Sequence, residues 1–512
     1  MQINVLEYFE RGALVRCPGK TAVVDGEVSC SFEELARLAR SAAARLVARR
    51  AVVNRPIAVF LPKGARTIVA DLGIIYSGNA YMNLDAKSPL PRLKSILDHI
   101  APEMVVTSRD LTGIVASLGF PPERQLLIDE VFDADATGGD AETSRWTPAV
   151  IDTAPLCIIN TSGSTGIPKG VVMHHRSVID FMDWAFENLD LDGSEVIGSL
   201  SPFYFDIYTL ELWLCLAKGA TIVIIPDQLS IFPAKLLEYM AKTGVSFIFW
   251  VPTIMVNISN MGLLDRVDLS ALRKILFAGE VFPTKHLNEW RRHLPNARFV
   301  NLYGPIEITV DCVYYIVDRE LKDDEPLPIG YPCRNTDILV LNEQDRPAKG
   351  NEPGELCVRG SSLALGYWND PERTAKAFVQ NPLNAHYPEL IYRTGDTVYR
   401  NERGELMFVG RKDYQIKHLG YRIELGEIEH AALGIEGVEN ACVLYNKEKK
   451  EITLFCQARH AVSLASIRQA LLAVLPKYML PTAFHQLPEM PMNPNGKIDR
   501  LRLAREFLEP GK

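Results

Sequence analysis

The segment Thr161-Ser162-Gly163-Ser164-Thr165-Gly166-Ile167-Pro168-Lys169-Gly170 sets small hydroxyl residues, glycines and a lysine between two apolar runs. Cys157-Ile158-Ile159 predicts a strand entering it, and Val171-Val172-Met173 a strand leaving it. Hydroxyls and backbone N–H groups left accessible by glycine suit a polyphosphate, and the lysine supplies counter-charge. A Walker loop would need GxxxxGK[ST] opening a helix. The only Gly-Lys-Thr, Gly19-Lys20-Thr21, has Leu14 where the first glycine belongs. A different nucleotide-binding design is therefore expected, with a flexible surface turn as the bland alternative. Two further polar clusters, Ala278-Gly279-Glu280 and Asn301-Leu302-Tyr303-Gly304, follow apolar runs of strand length. In open α/β sheets, ligands bind beyond such carboxyl ends.

Positioning these groups takes a large scaffold. A chain of 512 residues points to two or three domains, and 47% hydrophobic with 23% charged residues predicts a soluble globular protein. The net charge of -8 argues against a nucleic-acid partner. The N-terminus lacks a secretory signal, and no apolar run nears the roughly 18 residues of a membrane span, so a cytoplasmic location is expected. Nine scattered cysteines without a CxxC pair read as reduced, mostly buried thiols rather than as a zinc or disulfide framework. From about residue 55 to 310, apolar runs at 56–60, 104–107, 220–225, 245–250, 274–277 and 298–300 alternate with helix-like stretches. That alternation predicts parallel sheets covered by helices. Shorter strands with Gly and Asn turns follow, as in Gly354-Glu355-Leu356-Cys357-Val358-Arg359-Gly360. Beyond Asp413, helices are predicted over 427–433 and 464–474, and strands over 441–446 and 451–457. The fold expected is α/β: a core of doubly wound sheets over 1–410 with a β-rich subdomain at about 330–410. A hinge at 411–414 and a small, mobile α+β domain over 415–512 complete it.

With Asn83-Leu84-Asp85, Gly366-Tyr367-Trp368, Tyr392-Arg393-Thr394-Gly395-Asp396, Gly410-Arg411-Lys412-Asp413, Gly420-Tyr421-Arg422-Ile423-Glu424 and Asn493-Pro494-Asn495-Gly496-Lys497 in the same order, the chain resembles the adenylate-forming superfamily. Within it, the resemblance is closest to the amino-acid adenylation domains of nonribosomal peptide synthetases. It implies a two-step enzyme using ATP and Mg²⁺: a carboxylate attacks the α-phosphate, pyrophosphate leaves, and a thiol then displaces AMP. By the same resemblance, Thr161 to Gly166 with Lys169 grip the outer phosphates, and Glu307 takes the Mg²⁺, whose preference is for carboxylate and phosphate oxygen. Asp396 receives the ribose hydroxyls, with Arg411 beside it. Tyr303 and Phe408 sandwich the adenine, Gly279 and Glu280 line its backbone approach, and Asn301 reaches its exocyclic amine above the turn at Gly304. For Phe408, ordinary packing is the alternative. Lys497 bridges substrate carboxylate and phosphate, and Asp413 is the hinge between half-reactions. Ile306 departs from the family's threonine and loses a hydroxyl contact, a loss on the order of 1–3 kcal/mol if nothing compensates. No GxSxG, HExxH or GxGxxG motif is present to support a hydrolase or dehydrogenase.

The acid is read from Phe203-Tyr204-Phe205-Asp206. Asp206 matches the aspartate that pairs with a substrate α-amine, and a desolvated carboxylate without a cation is costly. The matching pocket residues are Ile207, Leu210, Phe249, Leu276, Ala278, Leu302, Val310 and Asp311. All but the last are apolar, which favours a small, uncharged side chain. The set resembles stand-alone ligases that load L-proline onto a carrier protein. Asp311 either bonds neighbouring backbone or takes a second amine, so D-alanine, valine-sized and diamino acids stay open. The length leaves no room for a carrier segment, so a separate peptidyl carrier protein with a phosphopantetheine arm is the expected partner. A small-acid CoA ligase and a non-catalytic ATP-binding relative are the alternatives.

Overall fold

The computed structural model describes residues 2–133, 150–163, 168–412, 415–447, 449–458, 460–492 and 498–508. Ser164, Thr165, Gly166, Asp413 and Lys497 lie outside the described residues. The chain is mixed α/β, with a large sheet-rich N-terminal part and a smaller C-terminal part. It divides into two compact units. The first comprises Met1–Ala86, Ala101–Ile159 and Gly170–Lys412; the second comprises Lys87–Ile100, Asn160–Lys169 and Asp413–Lys512.

A nine-stranded sheet runs in the order Tyr331–Pro332, Val313–Ile316, Arg298–Tyr303, Lys274–Phe277, Phe247–Trp250, Val196–Ser199, Thr221–Ile224, Thr21–Asp25, Val28–Ser31. Its central strands are parallel and apolar because helices cover them, as the alternation predicted. The edge hairpin Thr21–Ser31 was not in the predicted set. It pairs antiparallel across the two-residue Gly26-Glu27 turn, Gly26 taking φ 63°. Lys20, of the discarded Gly-Lys-Thr, donates to the Gly193 carbonyl at 2.9 Å, a structural use. A six-stranded sheet has the order Gln125–Leu127, Met104–Thr107, Pro56–Phe60, Ala80–Asn83, Pro155–Thr161, Lys169–His174. The two strands predicted on either side of the Gly-rich loop are thus neighbours at its edge. Antiparallel strands Thr336–Leu341, Gly354–Gly360, Phe378–Gln380, Leu390–Arg400 and Leu406–Arg411 build a separate five-stranded sheet.

In the second unit, Val438–Asn446, Glu451–Ala458 and Ala483–Leu487 form a three-stranded sheet. Ile428 of helix Leu425–Leu433 and Ile467 and Leu471 of helix Leu464–Leu472 pack with Val443 and Leu454 of that sheet in one core. Among the described residues, no helix is long and apolar enough to cross a membrane. All nine cysteines are free, and all but Cys17 and Cys30 are buried.

Candidate active site

Three adjacent parallel strands build the apolar wall. Phe249 pairs in register with Leu276, and Leu276 with Val300. Side chains two residues apart share a face, so Ala278 continues the Leu276 row and Leu302 the Val300 row. Phe249, Leu276, Ala278, Leu302 and Val310 are buried in one core with Ile207 and Leu210 of helix Ile207–Lys218. Asp206 is the residue at which that helix begins, and its carbonyl accepts from Thr209 N at 2.8 Å. All the predicted apolar pocket residues are therefore brought together, with Asp206 at the first turn of the helix that lines them. Asp311 is buried beside them, and its charge joins burial in pushing the thiols of Cys312 and Cys333 well up.

The chain from 304 to 311 folds tightly across the strand end. A Cβ at Gly304 would lie 2.4 Å from Asp311 Cα and 2.5 Å from the Val310 carbonyl oxygen, so only glycine permits the crossing. Thr309 and Val310 then take φ 59° and 63°. Two consecutive β-branched residues in the left-handed region store strain of the kind that collects at sites. Glu307 sits in the short turn Ile306–Ile308 and is fully buried. Tyr367 OH donates to its Oε1 at 2.9 Å, and its own carbonyl accepts from Ala364 N at 2.8 Å. Ile306 joins the apolar core, the hydrocarbon use of a residue whose hydroxyl counterpart is missing.

Asp396 lies where Leu390–Arg400 pairs with Leu406–Arg411, directly opposite Arg411. Its Oδ1 accepts from Arg411 Nη1 at 2.8 Å, and its Oδ2 accepts from Tyr303 OH. Arg411 Nη2 also donates to the Thr394 carbonyl at 3.1 Å, and Thr394 Oγ1 accepts from Asp396 N at 3.0 Å. Burial and the Asp396 charge push the Tyr303 hydroxyl well above its ordinary range, which keeps it a donor. The Tyr303 and Phe408 rings stand 6.4 Å apart at 41°, tilted toward each other rather than parallel. Asn301 Nδ2 donates to Pro328 O at 2.8 Å. Gly279 has φ 93°, and among the described residues the only heavy atom within 4 Å of an added Cβ would be Val251 Cγ1, at 3.7 Å. Glu280 accepts from Thr253 N at 3.0 Å, so its carboxylate caps the helix Pro252–Asn260.

In the second unit, Thr161, Ser162 and Gly163 precede the part of the loop outside the described residues, and Lys169 follows it, largely buried. Ser162 Oγ donates to Arg422 O at 2.7 Å and accepts from Glu424 N at 3.1 Å. Arg92, half-buried, pairs with the buried Glu427. Sequence reasoning gave no role to Tyr367 or Thr394, although both stand within family motifs of the chain. Tyr367 holds the Glu307 carboxylate, and Thr394 holds the Asp396 backbone N–H and the Arg411 guanidinium, relations that spacing along the chain does not carry. His175, the residue after strand Lys169–His174, accepts from Val5 N at 3.2 Å, and burial lowers its pKa to about 3.

With that geometry in place, comparison with known proteins assigns the class: residues 9–368 match the model of AMP-binding enzymes, and the chain belongs to that family. Adenylate-forming enzymes of this kind use ATP with Mg²⁺. The chain is 30% identical over 494 residues to tyrocidine synthase 1 of Brevibacillus parabrevis, covering 96% of this chain and 44% of that protein. It is 32% identical over 503 residues to an L-proline–[L-prolyl-carrier protein] ligase of Streptomyces coelicolor, covering 94% of this chain and 92% of that protein. An artificially fused adenylation–PCP di-domain from Klebsiella oxytoca shares the fold, with a TM-score of 0.82 at 21% identity over 95% of this chain and 94% of that one. The chain thus spans less than half the length of the tyrocidine synthase and nearly all of the prolyl ligase.

Proposed function

We propose that the protein activates a small apolar amino acid, L-proline above others, as its aminoacyl-AMP. It then passes the acyl group to the phosphopantetheine thiol of a separate carrier protein. The observation carrying this is the single buried apolar wall of Phe249, Leu276, Ala278, Leu302 and Val310 on the helix that Asp206 begins. Asp206 would hold the α-ammonium while the wall selects a compact side chain. The ligase from Streptomyces coelicolor supports proline in particular.

Substrate carboxylate and ATP α-phosphate are brought together so that a bimolecular attack becomes a local one. Asp396, oriented by Arg411 and Tyr303, would accept the ribose hydroxyls. Asn301, Gly279 and Tyr303 would flank the adenine. The residues 161–166 and Lys169 would grip the departing pyrophosphate, with Lys497 at the reacting carboxylate. Glu307 fits a magnesium site: it is a buried, hydrogen-bonded carboxylate that needs only phosphate oxygens and water to complete a hard-cation shell. Bound there, Mg²⁺ would neutralise charge on the triphosphate.

Pyrophosphate exchange across a panel of amino acids, with the corresponding acids lacking the α-amine, tests this. Proline should lead, and the amine-free acids should be inactive. CoA-dependent turnover of a simple acid without any carrier would overturn the reading, and preference for a diamino acid would move weight to Asp311. Glu307→Gln keeps an oxygen for Tyr367 but loses the charge. Exchange should fall by on the order of 10²-fold, and the Mg²⁺ needed for half-maximal rate should rise. Unchanged Mg²⁺ dependence would remove Glu307 from the metal.

A further inference from the structure

Helix Ala65–Tyr76 is largely apolar along its buried length, yet it carries Asp71, which has no exposure. An isolated buried carboxyl is costly, and an apolar residue there would pack without that cost. Its partners give a reason for its presence. Asp71 Oδ2 accepts from Asn83 Nδ2 at 3.0 Å and from Tyr208 OH at 2.9 Å. The same Asn83 amide donates to the Phe203 carbonyl at 3.2 Å. The Phe203 and Tyr208 rings stack with centroids 4.0 Å apart at 19°. Phe203 lies three residues before Asp206, and Tyr208 two residues after it.

We propose that Asp71 is a positioning residue for Asp206: through Asn83 and Tyr208 it pins both ends of the turn that presents the amine-binding carboxylate. The inference rests on reading Asp206 as the partner of the substrate α-amine. The turn's own backbone bonds run from Phe205 N to Pro202 O, from Tyr208 N to Phe205 O and from Thr209 N to Asp206 O. The Asp71 group adds side-chain bonds to this turn on either side of Asp206, at the Phe203 carbonyl through Asn83 and at the Tyr208 hydroxyl directly. Burial pushes Asp71 up to about 8. It is therefore largely neutral at pH 7 and sets little negative charge beside the one that must attract the ammonium.

Asp71→Leu keeps the bulk and removes the acceptor for two buried donors. The KM for the amino acid in pyrophosphate exchange should rise by on the order of 10-fold, while the KM for ATP stays within about twofold. Asp71→Asn retains an acceptor oxygen and should restore most of that loss. Tyr208→Phe cuts one tether, keeps the ring stack, and should raise the amino-acid KM a few-fold even if Asp71→Leu does not fold. A merely structural role predicts that both KM values move together, or that Asn is no better than Leu; either result overturns the proposal. If the wild type instead activates only acids lacking an α-amine, the reading of Asp206 fails and the purpose of the tether with it. Amino-acid exchange by the wild type with unmoved KM in Tyr208→Phe defeats the tether alone.

Discussion

At the scale of single residues, buried carboxyls do different work according to what faces them. Asp396 and Glu307 are held by an arginine and by tyrosine hydroxyls at positions expected to meet a nucleotide. Glu211 sits on helix Ile207–Lys218, which begins at the proposed amine partner Asp206, and accepts from Ser199 Oγ at 2.5 Å. Burial pushes it up to about 8, against the lowering effects of Ser199 and Lys63. An ordinary glutamate releases its proton near 4.5. Between that value and pH 8 the folded chain keeps a proton that the unfolded chain has lost. Stability attributable to Glu211 therefore falls as pH rises through this window. Glu211→Gln removes that cost while still accepting from Ser199. Its gain in melting temperature over the wild type should be larger at pH 8 than at pH 5. Three pH units at about 1.4 kcal/mol each bound the difference at about 4 kcal/mol. A melting offset that is the same at both pH values would place Glu211 in its ordinary range.

Elements explain why the candidate site has the shape it has. The crossing at Gly304 lets residues 310 and 311 lie against the end of strand Arg298–Tyr303. Gly304→Ala forces that crossing open by several tenths of an ångström at backbone atoms, where no rotamer can relieve it. Exchange should fall more than 10-fold with a lower melting temperature, whereas the half-buried turn glycine Gly404, with no heavy atom within 4 Å of an added Cβ among the described residues, tolerates the methyl apart from its φ of 75°. Equal tolerance at both would show that the crossing is soft. Much of this architecture was legible in the chain. Pro56–Phe60, Met104–Thr107 and Lys274–Phe277 are continuous apolar runs because both faces of a parallel sheet are covered. Val196–Ser199 was missed because four residues interrupted by Gly198 carry no period, and Gly198 is there to admit Val245. The strained pair Thr309-Val310 was illegible for the opposite reason, since β-branched residues predict extended backbone. Asp71 did leave a signal, one acid inside an apolar helix, but its partners at 83 and 208 meet it only in the fold.

For the whole molecule, the expected roles divide between the two units. The apolar wall, Asp206, Glu307 and the Asp396–Arg411 pair belong to the first, while Thr161, Ser162, Gly163 and Lys169 belong to the second. Two half-reactions share one acyl-adenylate, so a group needed only where charge develops at the α-phosphate is dispensable once that adenylate exists. Lys497 is the residue to which the family resemblance gives that part. Lys497→Ala should therefore lose at least about 10²-fold in pyrophosphate exchange, the scale of losing one charge-stabilising donor. Supplied with synthetic prolyl-adenylate and a phosphopantetheinylated carrier protein, the same variant should form the thioester within a few-fold of the wild-type rate. Intact protein mass spectrometry of the carrier reads the second step without depending on the first. If both half-reactions fall together, the lysine serves the fold or carrier docking. If neither falls, the positive charge at the reacting carboxylate comes from elsewhere, with Lys169 the first candidate to replace.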